Sequence, residues 1–301
     1  MTGIAYGDVY IAWPLAVALL AAGLVQLAFY FSLASPRWRE FWTPARLILL
    51  APIPWMLYSI PCGVFRPHAL VALLGLVTVA AFWFHFLPVS RYTDLGFVAL
   101  MASPMLFNWF GAIYPRPWPK LPTETLGHLI WIQVGVATIL NVRRIDSGFG
   151  FWPNLRNWRA GALWYAVSMP PVLALVYGLG FAHFELPASG YRYAFAIPTF
   201  FGILWVVALS EEFFFRGLLQ RWIEEWTGRP ALAIGVASVL FGLAHLGYRQ
   251  FPNWQMALIA AVMGVSYGLA YRHDGGRQGG GVRAAMVAHA LVVTTWKTFF
   301  R

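Results

Sequence analysis

The chain is a succession of apolar runs, most of them near the 20 residues a helix needs to cross a bilayer. They fall near 10–33, 45–62, 69–88, 95–114, 125–142, 161–181, 195–215, 230–247, 254–272 and 281–299. Hydrophobic residues make up 60% of the 301 positions and charged residues only 11%; mean hydropathy is +0.64. A soluble domain averages roughly 25% charged residues, so this chain lacks the polar surface to face water on all sides. In hydrocarbon every backbone N–H and C=O must be satisfied internally, which runs of this length achieve as helices. The expected fold class is therefore all-α, a polytopic transmembrane helix bundle with about 8–10 spanning helices. The expected setting is an integral, multi-pass protein of a cell (plasma) membrane, with the lipid bilayer as its first partner.

Breakers separate the runs: SPRW, RPH, PRPWPK, the polar stretch RRIDSGFGFWPNLRNWR and the glycine-rich HDGGRQGGG. Arginines sit singly or in pairs between apolar runs, not as a basic stripe with interleaved aromatics, so the net charge of +10 points to membrane loops and not to nucleic acid. Lys and Arg crowd the connections after odd-numbered runs, which the positive-inside rule would make cytoplasmic. The single cysteine, Cys62, excludes an internal disulfide. No Lys or Arg precedes Arg37, so no basic leader and no cleavable signal peptide is expected. Two regions are expected: residues 1–160, membrane helices without an evident site, and residues 161–301, which hold nearly all the ionisable groups at membrane depth.

Those groups begin in LSEEFFFRGL, residues 209–218. Ionisable side chains inside membrane helices are costly and are functional candidates for that reason. Glu212 and Arg216 are four apart, share a helix face and can pair, and pairing is how two such charges tolerate burial. They are read as structural support. Glu211 lies about 100° around the helix, with no partner at i+3 or i+4, which leaves it free to act as a general base. His245 closes FGLAHL, one turn after Phe241, and His289 sits in AAMVAHALVV. The remaining histidines lie at run edges, in loops or alone on apolar faces, and are read as structural. Glu211, His245 and His289 are thus the candidate catalytic residues. A carboxylate and two histidines allow a metal site holding a nucleophilic water on those three residues. They also allow a metal-free hydrolase in which Glu211 takes a proton from water, His245 orients it and His289 donates to the oxyanion. Serine chemistry lacks a GxSxG signature and a base–acid pairing. A non-catalytic membrane scaffold or immunity protein is the reading from a different class.

Taken together, Glu211-Glu212-x-x-x-Arg216, Phe241-x-x-x-His245 and a last-helix His289 resemble the CPBP family. These are the CAAX prenyl proteases of the Rce1 type and the bacteriocin-processing Abi proteins. The resemblance covers about residues 195–299. It implies a multi-helix intramembrane endopeptidase of the glutamic type, acting without a cofactor on a membrane-associated, lipidated or CAAX-like protein or peptide. In this resemblance Glu211 is the base and His245 assists the water. The family's third motif reads His-x-x-x-Asn, the two side chains forming an oxyanion hole; here Val293 stands at the Asn position and offers no hydrogen bond.

Ten simple crossings would set Glu211 and His245 toward opposite faces of the membrane. They can meet if the seventh helix is longer, running from about 194 to 226, on the order of 50 Å, which brings Glu211 toward its middle.

Overall fold

The computed structural model describes residues 3–6, 9–187, 190–275 and 281–301. The middle of the glycine-rich turn, residues 276–280, lies outside the described residues. The chain is a polytopic all-α membrane protein. It divides into two compact units, Met1–Ile145 and Asp146–Arg301.

The first unit opens with a short antiparallel hairpin, β1 (Gly3–Tyr6) and β2 (Val9–Ala12), registered Gly3 to Ala12. It precedes α1 (Trp13–Ser32), so the first apolar run begins as strand. Next come α2 (Pro36–Phe41), α3 (Pro44–Leu50), α4 (Pro52–Ser59), α5 (Pro67–Phe86), α6 (Arg91–Leu106), α7 (Trp109–Ile113) and α8 (Glu124–Arg143). Proline opens α2, α3, α4 and α5, where its missing N–H would be unpaired in any case. The same chemistry interrupts two expected crossings. The run 45–62 divides between α3 and α4 at Pro52, which cannot donate to the preceding turn. The run 95–114 carries Pro104 and then breaks at Asn108, whose left-handed φ of 52° starts the five-residue α7. Two polar links tie the unit together: in a part-buried pair Arg143 Nε lies 3.1 Å from Asp94 Oδ1, and buried Gln26 donates to Gln133.

The second unit holds α9 (Leu155–Gly178), α10 (Gly190–Thr227), α11 (Pro230–Ala244), α12 (Trp254–His273) and α13 (Gly281–Phe299). Asn154 and Asn157 cap α9 reciprocally, each side chain accepting from the other's backbone N–H. Helix α10 ends at Gly228 in the left-handed conformation, and Pro230 starts α11 two residues later. Helices α9, α12 and α13 pack on one another, and α11 packs on α12. Two glycines permit these crossings: a Cβ on Gly242 would sit 2.4 Å from the Ala257 carbonyl, and one on Gly161 would sit 2.6 Å from Val287. Small residues at such contacts let membrane helices approach backbone to backbone.

Among the described residues six helices are long and apolar enough to cross a membrane: α1, α5, α8, α9, α10 and α12. Helix α11 is apolar but has only 15 residues, about 22 Å against a hydrocarbon core near 30 Å. Helix α13 has 19 residues but carries Arg283 and Lys297, and residues 284–290 are buried against its neighbours. It is an inner helix of the unit, shielded by protein in place of lipid. Sidedness inferred from ten simple crossings does not carry over to this set, because two of the ten are interrupted and one is short.

Candidate active site

Helix α10 has 38 residues, about 57 Å of axis, and Glu211 lies near its middle. Its course alternates: Ile203–Ala208 and Phe213–Gln220 take the wider π form, with the α turn Leu209–Glu212 between them. Such π segments are rare and concentrate where function needs a side chain re-aimed. Here they flank the two glutamates.

Depth follows from helix length. Glu211 stands 16 residues before the end of α10 at Thr227, about 24 Å of rise; His245 caps α11, 15 residues after Pro230, about 22 Å. The two helices are joined by a two-residue turn, so both residues reach similar distances from it. The short α11 thus delivers His245 to the level of Glu211 and not to an opposite face.

Glu212 and Arg216 are fully buried and paired at 3.1 Å. Arg216 has a second anchor: Nη2 donates to the Gly264 carbonyl at 2.9 Å. One turn on, Gln220 Nε2 donates to the Gly268 carbonyl at 3.3 Å. Residues 216 and 220 on α10 thus pair with 264 and 268 on α12, in the same chain direction. Glycine eases the first contact, since a Cβ on Gly264 would lie a tight 3.1 Å from both Arg216 Nη2 and Ser238 Cα. The guanidinium also lies 4.6 Å from the Phe241 ring centre and 5.3 Å from that of Tyr267, a further attraction for a desolvated cation.

Glu212 has a second partner, His289, whose Nδ1 lies 2.8 Å from Oε1. A carboxylate paired with Arg216 accepts, so Nδ1 carries the proton and Nε2 is the ring nitrogen left over. That Nε2 faces Glu211 Oε2 at 3.9 Å. The groups form a chain: Arg216, Glu212, His289, Glu211. At its end Glu211 is the partly open member, its side chain 31% exposed, and its Oε2 has no hydrogen-bond partner among the described residues.

His245 joins through aromatic contact. Its Nδ1 faces the Phe241 carbonyl at 2.8 Å, again leaving Nε2 free. Its ring lies 4.7 Å from that of Phe241, and Phe241 meets His289 edge-on at 5.7 Å. One phenylalanine therefore touches both histidines. Tyr267, buried on α12, stacks on His289 with ring centres 4.7 Å apart and planes within 9°. Val293, one turn after His289, is half-buried. Among the described residues no group of three His, Cys, Asp or Glu side chains is gathered as a metal-ligand set, and no step below is routed through a metal.

Residues 192–295 match a family model described as type II CAAX prenyl endopeptidase Rce1-like. Over this stretch the chain is similar to the CPBP/Rce1-type proteins. The Rce1-like segment lies wholly within the second unit, contains all five candidate residues, and places the chain among hydrolases. No curated protein and no solved structure matches the chain.

Sequence reasoning brought forward the ends of this candidate cluster and missed its middle. It placed Glu212 with Arg216 only, whereas Glu212 also holds His289. It passed over Tyr267, Gln220, Gly264 and Gly268. A signal for the last three was present: two polar side chains four apart on α10 and two glycines four apart on α12. Tyr267 gave none, one aromatic among many in an apolar helix.

Proposed function

We propose that this protein is an intramembrane endopeptidase of the glutamic type. It uses a water activated by Glu211 to cleave a peptide bond in a membrane-associated, lipidated CAAX-like protein or peptide, in a cell membrane. The supporting observation is the division of labour between adjacent carboxylates. Glu212 is committed to Arg216 and His289, while Glu211, its side chain partly exposed, keeps a buried oxygen, Oε2, without a hydrogen-bond partner among the described residues. In this reading Glu211 Oε2 removes a proton from water as the oxygen attacks the scissile carbonyl. His245 accepts the water's second O–H at Nε2 and orients it. The proton held by Glu211 passes to His289 Nε2, forming an imidazolium that Glu212 stabilises from behind, as the carboxylate of a catalytic triad does. That imidazolium donates to the oxyanion and then to the leaving amine. Glu212 is thus an orienting residue as well as a structural one.

The test is purified protein in liposomes with a farnesylated peptide ending in Cys-aliphatic-aliphatic-X, products read by mass spectrometry. Release of the three C-terminal residues by the wild type, abolished in Glu211→Gln, is the expected result. Cleavage undiminished in Glu211→Gln would overturn the assignment. Activity that disappears with chelator and returns with added metal would favour a metal-dependent protease on Glu211, His245 and His289.

Val293 supports one other reading, a non-catalytic scaffold or immunity protein that keeps the site as a structural knot. It predicts that Glu211→Ala retains the full biological effect.

A further inference from the structure

We propose that Tyr267 is a positioning residue that sets the plane of the His289 imidazole and so aims Nε2 at Glu211. The inference rests on the endopeptidase reading for its catalytic meaning and on the packing alone for its structural content. A single hydrogen bond to Nδ1 fixes one atom of an imidazole and leaves the ring able to tilt about that bond. Glu212 supplies that bond at 2.8 Å. The tilt is removed by a face, and Tyr267 supplies it, parallel within 9° at 4.7 Å. Phe241 meets the histidine edge-on at 5.7 Å and meets Tyr267 edge-on at 5.9 Å, closing the side of the stack.

Tyr267 is itself held. It is 1% exposed, and the Arg216 guanidinium lies 5.3 Å from its ring centre. Its α12 backbone is tied to α10 on either side, three residues before at Gly264 by Arg216 and one residue after at Gly268 by Gln220. Among the described residues the phenol oxygen donates to a thioether, Met263 Sδ at 3.7 Å, a weak acceptor. The ring and not the hydroxyl is therefore the working part. It matters because the Nε2 to Glu211 separation is 3.9 Å, already beyond a hydrogen bond. A ring free to tilt would lengthen it, and displacements near 1 Å cost about 10²-fold in rate.

Three substitutions separate ring from hydroxyl and from bulk: Tyr267→Phe keeps the face, while Tyr267→Leu and Tyr267→Met fill the space without one. The first readout needs no catalysis. Histidine ring resonances in nitrogen-15-labelled protein are recorded, His289 being assigned by its loss in His289→Gln. The His289 signals should stay near wild type in Tyr267→Phe and move in Tyr267→Leu and Tyr267→Met; unchanged signals in all three overturn the inference. The second readout is cleavage of the farnesylated peptide. Tyr267→Phe should stay within about 3-fold of wild type, and Tyr267→Leu and Tyr267→Met should lose on the order of 10²-fold in kcat with KM little changed. A loss in KM alone, or equal loss in all three, overturns the positioning role. A wild type that leaves the peptide intact refutes the endopeptidase reading, and the resonances then decide Tyr267 by themselves.

Discussion

Removing Arg216 tests how the buried charges are held. In Arg216→Met the guanidinium is lost while the stem volume is largely kept. Glu212, at 0% exposure, then stands in an apolar interior with His289 Nδ1 as its remaining hydrogen-bond partner among the described residues. Breaking a buried ion pair by deleting one partner costs roughly 3–5 kcal/mol, mostly from the charge left behind. Loss of the bond from Nη2 to the Gly264 carbonyl adds about 1 kcal/mol. At roughly 2–4 °C per kcal/mol for units of this size, melting of detergent-solubilised protein should fall on the order of 10 °C. Glu212→Gln combined with Arg216→Met removes both charges and should recover a large part of that loss, since two neutral groups need no compensation. Tryptophan fluorescence on heating reads both variants, because Trp222 is buried one and a half turns beyond Arg216. A double variant less stable than the single one, or a single variant that melts with the wild type, would refute the view that mutual compensation makes these charges tolerable.

Three further outcomes follow from the same geometry. Glu211→Gln should abolish peptide cleavage while melting within about 0.5 kcal/mol of wild type, because its side chain is partly exposed and its Oε2 makes no hydrogen bond among the described residues. Val293→Asn restores an amide one turn after His289, and the rate should rise, by up to about 10²–10³ if a missing oxyanion donor is what limits it; an unchanged rate would show that another group already serves. Gly264→Ala places a methyl 3.1 Å from Arg216 Nη2 and Ser238; circular-dichroism melting should show a loss of about 1–3 kcal/mol, typical of overpacking.

Much of the helical layout was legible because hydrocarbon permits few solutions for the backbone. Six of the apolar runs stand as full-length helices, and the extended α10 is the one that membrane depth required. Local backbone chemistry decided the rest: Pro52 and Pro104 with Asn108 divide two runs, and the β1–β2 hairpin occupies the start of the first. Window hydropathy cannot see such breaks, since proline and a left-handed asparagine act through dihedral angles. At the site, i, i+4 spacing on one helix gave the Glu212–Arg216 pair directly. The bond from Glu212 to His289 spans 77 positions and the Tyr267 stack spans 22; no periodicity within one helix encodes either.

Why two adjacent glutamates should differ so much is answered by what surrounds α10. The helix turns about 100° between them. One side faces α12 and α13, where Gly264 leaves room for a guanidinium and His289 presents Nδ1; the carboxylate on that side, Glu212, is held by Arg216 and His289. The other carboxylate reaches the same imidazole only at its far nitrogen, 3.9 Å away. A single histidine therefore separates a carboxylate fixed by structure from the one assigned the base role in the proposed chemistry. The burial that makes Glu212 costly to place is also what holds His289 in line with Glu211, so stability and the proposed chemistry depend on the same three contacts. Variants at Glu212 should for this reason lose activity and stability together, whereas variants at Glu211 should lose activity alone. Any substitution at Glu211 that lowered melting as far as Arg216→Met does would break that separation.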